Sequence, residues 1–171
     1  MAAVKSFEVE NPIETSLKGF ALANPSITLV PEDKILFRQS DKEKVGLIAG
    51  GGSGHEPSHA GFIGTGMLSA AVCGDIFASP STKQILNAIE LLNENSNGIL
   101  LIVKNYTGDV LHFGLSAERA RALGIDCQVV VVGDDVAVGR EKGGMVGRRA
   151  LAGTVLVHKI TGAFSEYNSA K

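Results

Sequence analysis

The sequence has 171 residues, of which 44% are hydrophobic and 20% charged, and its formal net charge is −2. A chain of this length can bury roughly two-thirds of its unfolded surface, so we expect one domain over residues 1–171. The charges are scattered along the chain, which argues against a polybasic surface for nucleic acid or anionic lipid. Acidic residues stand where a secretory signal would be apolar, and no apolar run approaches bilayer length, so we expect a soluble, cytoplasmic protein without a membrane partner.

The first predicted helix begins at Asn11. Asn11 is the expected N-cap, Pro12 fits the first turn, and Glu14 can reach back in a capping-box arrangement. Pro25 ends this helix, because proline cannot continue it.

The chain then alternates between strand-like and helix-like segments. Apolar, strand-like runs occupy 27–30, 35–37, 45–49, 67–73, 99–103 and 129–132, and helices are predicted from Ser81 to Asn97-Gly98 and over 110–123. Ser81 and Gln84 form a capping-box pattern. In the last third, 139–147 is typical of a loop, and 154–160 fits a strand and a helix equally well.

This alternation predicts a three-layer α/β domain, with a largely parallel or mixed sheet flanked by helices. Strand-like runs empty into segments of glycine and polar residues at 50–57, 104–109 and 133–135. The carboxyl ends of parallel strands line the ligand crevice in open α/β sheets. We therefore expect His55, Lys104 and Asp109 to surround one site.

The glycine-rich segment 50–57 matches none of the familiar glycine motifs. It lacks the Lys-Ser/Thr of a Walker A loop, and His55 breaks both G-x-G-x-x-G and G-x-S-x-G. Its glycines can still leave backbone N–H groups pointing inward, which suits a phosphate or a small polyhydroxylated ligand. His55 is then a candidate general acid or base. The alternatives are a tight turn without a ligand and a structural histidine.

Other polar residues have structural interpretations. Asp109 could bind hydroxyls together with its polar neighbours, or serve only as a helix N-cap. For Asp75, Asp134 and Asp135 we favour structural roles, as we do for His112 and His158. His59 lies four residues after His55, but Pro57 between them and the lack of a third ligand argue against a metal site. Cys73 and Cys127 are expected to be buried thiols.

Four motifs together resemble the K domain of the dihydroxyacetone kinases. They are Gly50-Gly-Gly-Ser-Gly-His-Glu-Pro57 continued to Ile63, Ala71-Val-Cys-Gly-Asp-Ile-Phe-Ala-Ser-Pro80, Leu101-Ile-Val-Lys-Asn-Tyr-Thr-Gly-Asp109, and Gly147-Arg-Arg-Ala-Leu-Ala-Gly-Thr-Val155. The resemblance implies that Gly52, Ser53, Gly54, His55, Lys104 and Asp109 bind the triose, and that His55 and Asp109 perform acid–base work on its hydroxyl. Thr65 departs from the family pattern, since it stands where the family carries lysine.

The resemblance also implies what lies outside the chain. The family phosphorylates dihydroxyacetone or a related short-chain ketose or aldose, and it binds ATP and Mg²⁺ on a separate domain, supplied in cis or in trans. It anchors the substrate carbonyl on a histidine of a second lobe, and no histidine here matches that one. The family further implies a homodimer. The chain is then the N-terminal substrate-binding lobe of a kinase. The alternatives are a non-catalytic triose-binding or regulatory module and a lobe of a bifunctional triokinase/FMN cyclase, with ATP or a phosphotransferase protein as donor.

Overall fold

The computed structural model describes residues 8–139 and 146–168. Four helices and six strands follow one another in these residues: α1 Pro12–Ala23, β1 Ile27–Val30, β2 Ile35–Arg38, β3 Gly46–Ser53, β4 Ala70–Ile76, α2 Thr82–Asn93, β5 Ile99–Lys104, α3 Thr107–Ala122, β6 Cys127–Val132 and α4 Gly153–Tyr167. None of these helices is long and apolar enough to cross a membrane.

The strands form one mixed sheet in the order β1-β2-β4-β3-β5-β6. Strands β4, β3, β5 and β6 are parallel, whereas β1 and β2 add an antiparallel edge. The chain leaves β3 towards β4 on one side, and it leaves β5 towards β6 on the other. The crevice at the carboxyl ends of β3 and β5 is therefore the switch point where ligands bind in such folds.

Helices cover both faces of the sheet, which confirms the predicted three-layer α/β fold. One face carries α2 and α3, whose Ile85, Ile89 and Phe113 are fully buried against β3, β4 and β5. The opposite face carries α1, which packs through Leu17, and α4, which packs through Val157. Alternate residues of a strand serve opposite faces, because side chains in a strand alternate.

Two helix starts differ in how they are capped. The capping box of α2 is confirmed: Ser81 Oγ accepts from the N–H of Gln84, and the side chain of Gln84 accepts from the N–H of Ser81. The capping box predicted for α1 is wrong. Asn11 precedes the helix in a left-handed conformation without a side-chain cap, and Glu14 pairs instead with Lys18 at 2.7 Å.

The segment 154–160, which the sequence left open, belongs to a helix. Asp134, after β6, accepts hydrogen bonds from the N–H groups of Leu151 at 2.5 Å and Gly153 at 2.7 Å, at the start of α4. These bonds hold the pKa of the Asp134 carboxyl below its usual range. Of the predicted loop 139–147, residues 140–145 lie outside the described residues.

Asp134→Ala is expected to lower the free energy of unfolding by about 1 kcal/mol, because it removes the acceptor for two N–H groups at a helix start. Urea unfolding measures the loss. Asp126→Ala is the matched control, since Asp126 is exposed and its carboxylate accepts a hydrogen bond from the Gln128 side chain at 3.3 Å; its effect should stay within about 0.5 kcal/mol. Equal losses in the two variants would contradict a capping role for Asp134.

Candidate functional site

The first half of the glycine-rich segment, residues 50–53, is part of a strand rather than a loop. Strand β3 continues to Ser53, so the prediction that it ends at Ala49 is wrong. Within the described glycines of this segment, Gly54 has a positive φ, at 97°. Gly52 is required for another reason: a Cβ there would lie 2.6 Å from the backbone nitrogen of Ala78. The turn after β4 thus packs directly on the bare backbone of β3.

A cleft with a volume of about 190 Å³ opens at the carboxyl ends of β3 and β5. It is smaller than the ~300–1,000 Å³ of pockets for drug-sized ligands, which favours a small metabolite. Its walls combine backbone, imidazole, hydroxyl, ammonium and carboxylate groups: Gly51, Gly52, His55, Ser58, His59, Phe77, Ser79, Lys104, Tyr106 and Asp109. Four of the residues predicted for the site, namely Gly52, His55, Lys104 and Asp109, are therefore brought together.

Asp109 lies in the first turn of α3, with its carboxylate in the cleft. The residue is 6% exposed, and Ser79 Oγ donates a hydrogen bond to Oδ1. Burial raises the pKa of Asp109, against the opposing effects of the Ser79 bond and the charge of Lys104. It does not act as a side-chain N-cap of α3. The site thus contains a carboxylate that is more basic than an exposed one.

The segment after β5 is held in place by its own side chains. Tyr106 Oη donates to the carbonyl of Ala150 at 2.8 Å, and Asn105 Nδ2 donates to the carbonyl of Arg148 at 2.6 Å. Lys104 Nζ lies 5.6 Å from the centroid of the Tyr106 ring, within cation–π range. The segment before α4 therefore fixes the position of the cleft's ammonium group.

His55 is exposed at the mouth of the cleft. Its ring centroid lies 5.0 Å from that of Phe77, at an interplanar angle of 60°. Phe77 is 70% exposed and has a φ of 54°, which is rare for a bulky residue. A cation or base at position 55 is thus placed beside an aromatic ring and open to an incoming group.

Two predicted binding residues face away from this cleft. Ser53 is buried, and its Oγ donates to the carbonyl of Gly74 at 2.8 Å. The N–H of Gly54 donates to the Glu56 carboxylate at 3.1 Å. Both residues line a different depression, beside α1. Their contact with a ligand stays a prediction.

Sequence reasoning did not single out several residues of the cleft: Gly51, Ser58, Phe77 and Ser79. It counted Tyr106 only among the polar neighbours of Asp109. It also assigned no ligand contact to His59, whose ring nevertheless reaches the cleft wall. Chain order could have placed Phe77 and Ser79 at the site, because they follow a third parallel strand, β4, whose carboxyl end lies at the same edge of the sheet.

Three polar residues for which the sequence favoured a structural role have partners within the fold. Asp75 pairs with Lys34, Asp135 pairs with Arg149 at 2.8 Å, and His112 Nδ1 lies 2.8 Å from the carbonyl of Pro80. Cys73 and Cys127 are buried free thiols, as predicted. Burial raises the pKa of Cys73 to about 12.

A larger groove of about 410 Å³ lies beside α1, and we call it the α1 groove. Its walls are Ser16, Leu17, Phe20, Gly52, Ser53, Glu56, Pro57, Ser58, Ala60, Gly61 and Cys73. Volume alone would favour it over the cleft. The cleft has the convergent charged and polar groups that orient a small ligand, and we therefore take the cleft as the candidate site.

Two buried histidines lie behind the cleft. The ring centroids of His59 and His158 are 5.3 Å apart, edge to face, and both nitrogens of His158 are buried without a hydrogen-bond partner. Burial lowers the pKa of His59 to about 3 and that of His158 to about 4. Both rings are therefore neutral at pH 7.

These two pKa values predict acid sensitivity. Between pH 6.5 and about 4 the unfolded state binds protons that the native state does not, so the free energy of unfolding should fall as the pH falls. His158→Phe keeps an aromatic ring and should reduce this slope by up to about 1.4 kcal/mol per pH unit. Urea unfolding at pH 7.5 and pH 5 measures it. An unchanged slope in a folded variant would contradict a neutral, buried His158.

Within residues 8–139 and 146–168, no three His, Cys, Asp or Glu side chains are placed to hold a metal ion. The cleft itself offers one carboxylate to a cation, with an ammonium group beside it. These residues do not fit a magnesium–nucleotide complex, and they fit a small neutral or anionic ligand better.

Comparisons with known proteins agree on one family. The Dak1 domain profile matches residues 18–170. The chain is 80% identical over 169 residues to dihydroxyacetone kinase 1 of Saccharomyces cerevisiae, covering 99% of this chain and 29% of the relative. The dihydroxyacetone kinase of C. freundii, solved with AMP-PNP and Mg²⁺, superimposes with a TM-score of 0.85 at 46% identity, over 96% of this chain and 31% of that one.

A protein of a different functional class also superimposes. The dihydroxyacetone kinase operon co-activator Dha-DhaQ matches with a TM-score of 0.83 at 42% identity, over 90% of this chain and 47% of that chain. The present chain thus spans less than half of each of these relatives.

Proposed function

Because this chain belongs to the Dak1 domain family, we propose that it is the triose-binding lobe of a dihydroxyacetone kinase. The cleft holds dihydroxyacetone, or a similar short ketose or aldose, while a phosphoryl group is transferred to its hydroxyl. The observation that carries this proposal is the convergence of His55, Lys104 and Asp109 on a cleft of triose scale. The close kinase relatives support it. The chain spans 29% of the yeast kinase, so the activity of the whole enzyme belongs to the proposal.

The cleft suits the acceptor side of phosphoryl transfer. Transfer depends mostly on positioning and charge neutralisation. The hydroxyl oxygen forms its bond to phosphorus as the bond between phosphorus and the donor's leaving group breaks, and the hydroxyl proton passes to a base. The exposed His55 and the buried Asp109 are the candidate catalytic residues. Lys104 provides a positive charge for substrate oxygens. Gly52 binds through its backbone, and Ser53 and Gly54 complete the family's binding segment.

ATP and Mg²⁺ belong to another part of the kinase in this proposal. The C. freundii kinase was solved with AMP-PNP and Mg²⁺, whereas the described residues here offer no metal cluster. The donor supplies the phosphoryl group, and this lobe presents the acceptor. The two buried free thiols fit a reducing compartment, which supports a cytoplasmic location.

An apolar surface on α4 supports the need for additional protein. Leu156, Ile160, Phe164 and Tyr167 are each more than 60% exposed, an unusual concentration for one helix of a self-sufficient domain. Further chain of the kinase or a second copy in a homodimer would cover it.

A second candidate function is a triose-responsive regulatory module. The likeness to the co-activator Dha-DhaQ favours it, because the same fold serves a protein named for a role other than catalysis. In that case the cleft binds the triose, but substitution of His55 or Asp109 does not change the rate at which dihydroxyacetone phosphate is formed.

Isothermal titration of the chain with dihydroxyacetone tests the binding on which both functions rest. We expect saturable binding, and weaker binding of glycerol, which lacks the carbonyl. Adding the nucleotide-binding part of the kinase with ATP and Mg²⁺ then separates the two functions, because only the kinase lobe supports formation of dihydroxyacetone phosphate. The absence of any heat of binding in a demonstrably folded sample would rule out both functions.

A further inference from the structure

His59 is a buried histidine that reaches the cleft wall. The residue is 6% exposed, and its Nδ1 is buried without a hydrogen-bond partner. One side of its ring packs edge-on against His158, which in turn lies 5.8 Å from the ring of Phe62. The ring is therefore held by contacts with other rings, and its Nδ1 lies buried away from water without a hydrogen-bond partner.

The position of His59 Nε2 can be located from Gly51. A Cβ built on Gly51 would lie 3.6 Å from His59 Nε2 and 3.8 Å from Asp109 Oδ2. These two polar atoms therefore border the same small space above the bare backbone of Gly51. Asp109 Oδ1 is already engaged by Ser79, so Oδ2 is the oxygen that faces this space.

The surroundings of the ring decide which nitrogen carries the proton. A buried N–H without an acceptor is rare and costly, whereas an unpaired acceptor is tolerated better. Since Nδ1 is the buried and unpartnered nitrogen, the proton belongs on Nε2. Burial lowers the pKa of the ring, and the charge of Lys104 also opposes a second proton. The ring is thus a fixed, neutral donor that points towards the cleft.

Resting on the function proposed above, we propose that His59 is a further substrate-binding residue, whose Nε2–H donates a hydrogen bond to the same triose hydroxyl that donates to Asp109 Oδ2. The hydroxyl oxygen accepts one hydrogen bond and its proton is directed at the carboxylate. This arrangement selects one orientation of the O–H bond and leaves one lone pair of the hydroxyl oxygen free for the incoming phosphorus.

The two histidines of the segment then have different tasks. His55 is exposed at the mouth of the cleft, where an incoming group can reach it. His59 is enclosed and keeps one tautomer, so it orients the hydroxyl without taking its proton. The close approach that this requires explains why residue 51 has no side chain.

The test compares two replacements of His59 by dihydroxyacetone titration. His59→Phe keeps a ring against His158 but removes the donor, and we expect binding about 10- to 100-fold weaker, since it leaves the triose hydroxyl oxygen without its hydrogen-bond donor. His59→Gln restores an N–H near the position of Nε2 and should recover part of the affinity. His158→Phe is the matched control, because that ring lies outside the cleft lining; its affinity should stay within about twofold, as for changes that remove no ligand contact.

Nitrogen NMR of the wild-type imidazoles provides a second readout that does not depend on the variants folding. We expect the signals of His59 to report the Nε2–H tautomer from pH 5 to pH 8, with Nε2 shifting when dihydroxyacetone is added. Wild-type binding with an Nδ1–H tautomer, or with equal affinity in His59→Phe, would overturn the inference and leave the proposed function standing. A wild-type chain that does not bind the triose would remove the proposed function as well.

Discussion

Asp109→Asn is expected to reduce the turnover of the complete kinase assembly by about 10²–10⁴-fold, the usual contribution of a positioned general base. Asparagine has nearly the same shape and can still accept the hydrogen bond from Ser79, but it cannot take up a proton. The cleft should therefore stay assembled while the hydroxyl loses its proton acceptor. Formation of dihydroxyacetone phosphate at saturating triose, in a coupled assay, measures the loss.

The pH profile adds a signature that a merely structural defect would not show. Burial raises the pKa of Asp109 above the ordinary 3.8, and only the deprotonated carboxylate accepts the proton. The wild-type rate should rise with pH through a midpoint above that value, and this limb should be missing in the variant. Asp126→Asn, on an exposed residue outside the cleft, is the control. A rate within about threefold of wild type, far outside the range for a lost base, would exclude Asp109 as a catalytic residue.

Gly51→Ala is expected to weaken dihydroxyacetone binding by about 10- to 100-fold, because a methyl group would occupy the space between His59 Nε2 and Asp109 Oδ2, and overpacking costs about 1–3 kcal/mol. The fold should tolerate it. The new Cβ would meet its nearest neighbour at 3.6 Å, an ordinary contact, and φ of Gly51 is not in the left-handed region. Calorimetry gives the affinity and urea unfolding gives the stability.

Gly52→Ala is the contrasting variant. Its Cβ would lie 2.6 Å from the backbone nitrogen of Ala78, so we expect a loss of stability of about 1–3 kcal/mol from the forced backbone shift. Neighbouring glycines thus separate the two effects: the first change damages the ligand space and the second damages the scaffold. A Gly51→Ala variant with wild-type affinity would mean that the triose does not lie above Gly51.

Much of the fold and part of the site could be predicted from the sequence. The capping box of α2 predicted the start of that helix correctly, because local hydrogen bonds and periodicity decide a helix start. The helix ends at Asn93, before the predicted Asn97-Gly98. The rule that parallel strands end at one edge was enough to bring His55, Lys104 and Asp109 together. That rule needs only the chain order of strands and polar segments.

Other features depend on contacts between distant segments, which no local pattern shows. The glycines after Ala49 were interpreted as a loop, but Gly50 to Gly52 continue β3, and the turn at Phe77 and Ala78 packs on the backbone of Gly52. His59 was assigned no ligand contact, since its burial against His158 cannot be read from spacing. α4 stayed ambiguous for the same reason, as its start is held by Asp134 from the preceding strand end.

The most direct test of the account is to map the dihydroxyacetone site on the isotopically labelled chain by amide NMR. We expect saturable chemical-shift changes in the amides of residues 51–55 and 104–109, and no change in the signals of Ser16, Leu17 and Phe20 in the α1 groove. Shifts confined to the α1 groove, or no shifts in a folded sample, would contradict the claim that the cleft at the ends of β3 and β5 binds the triose.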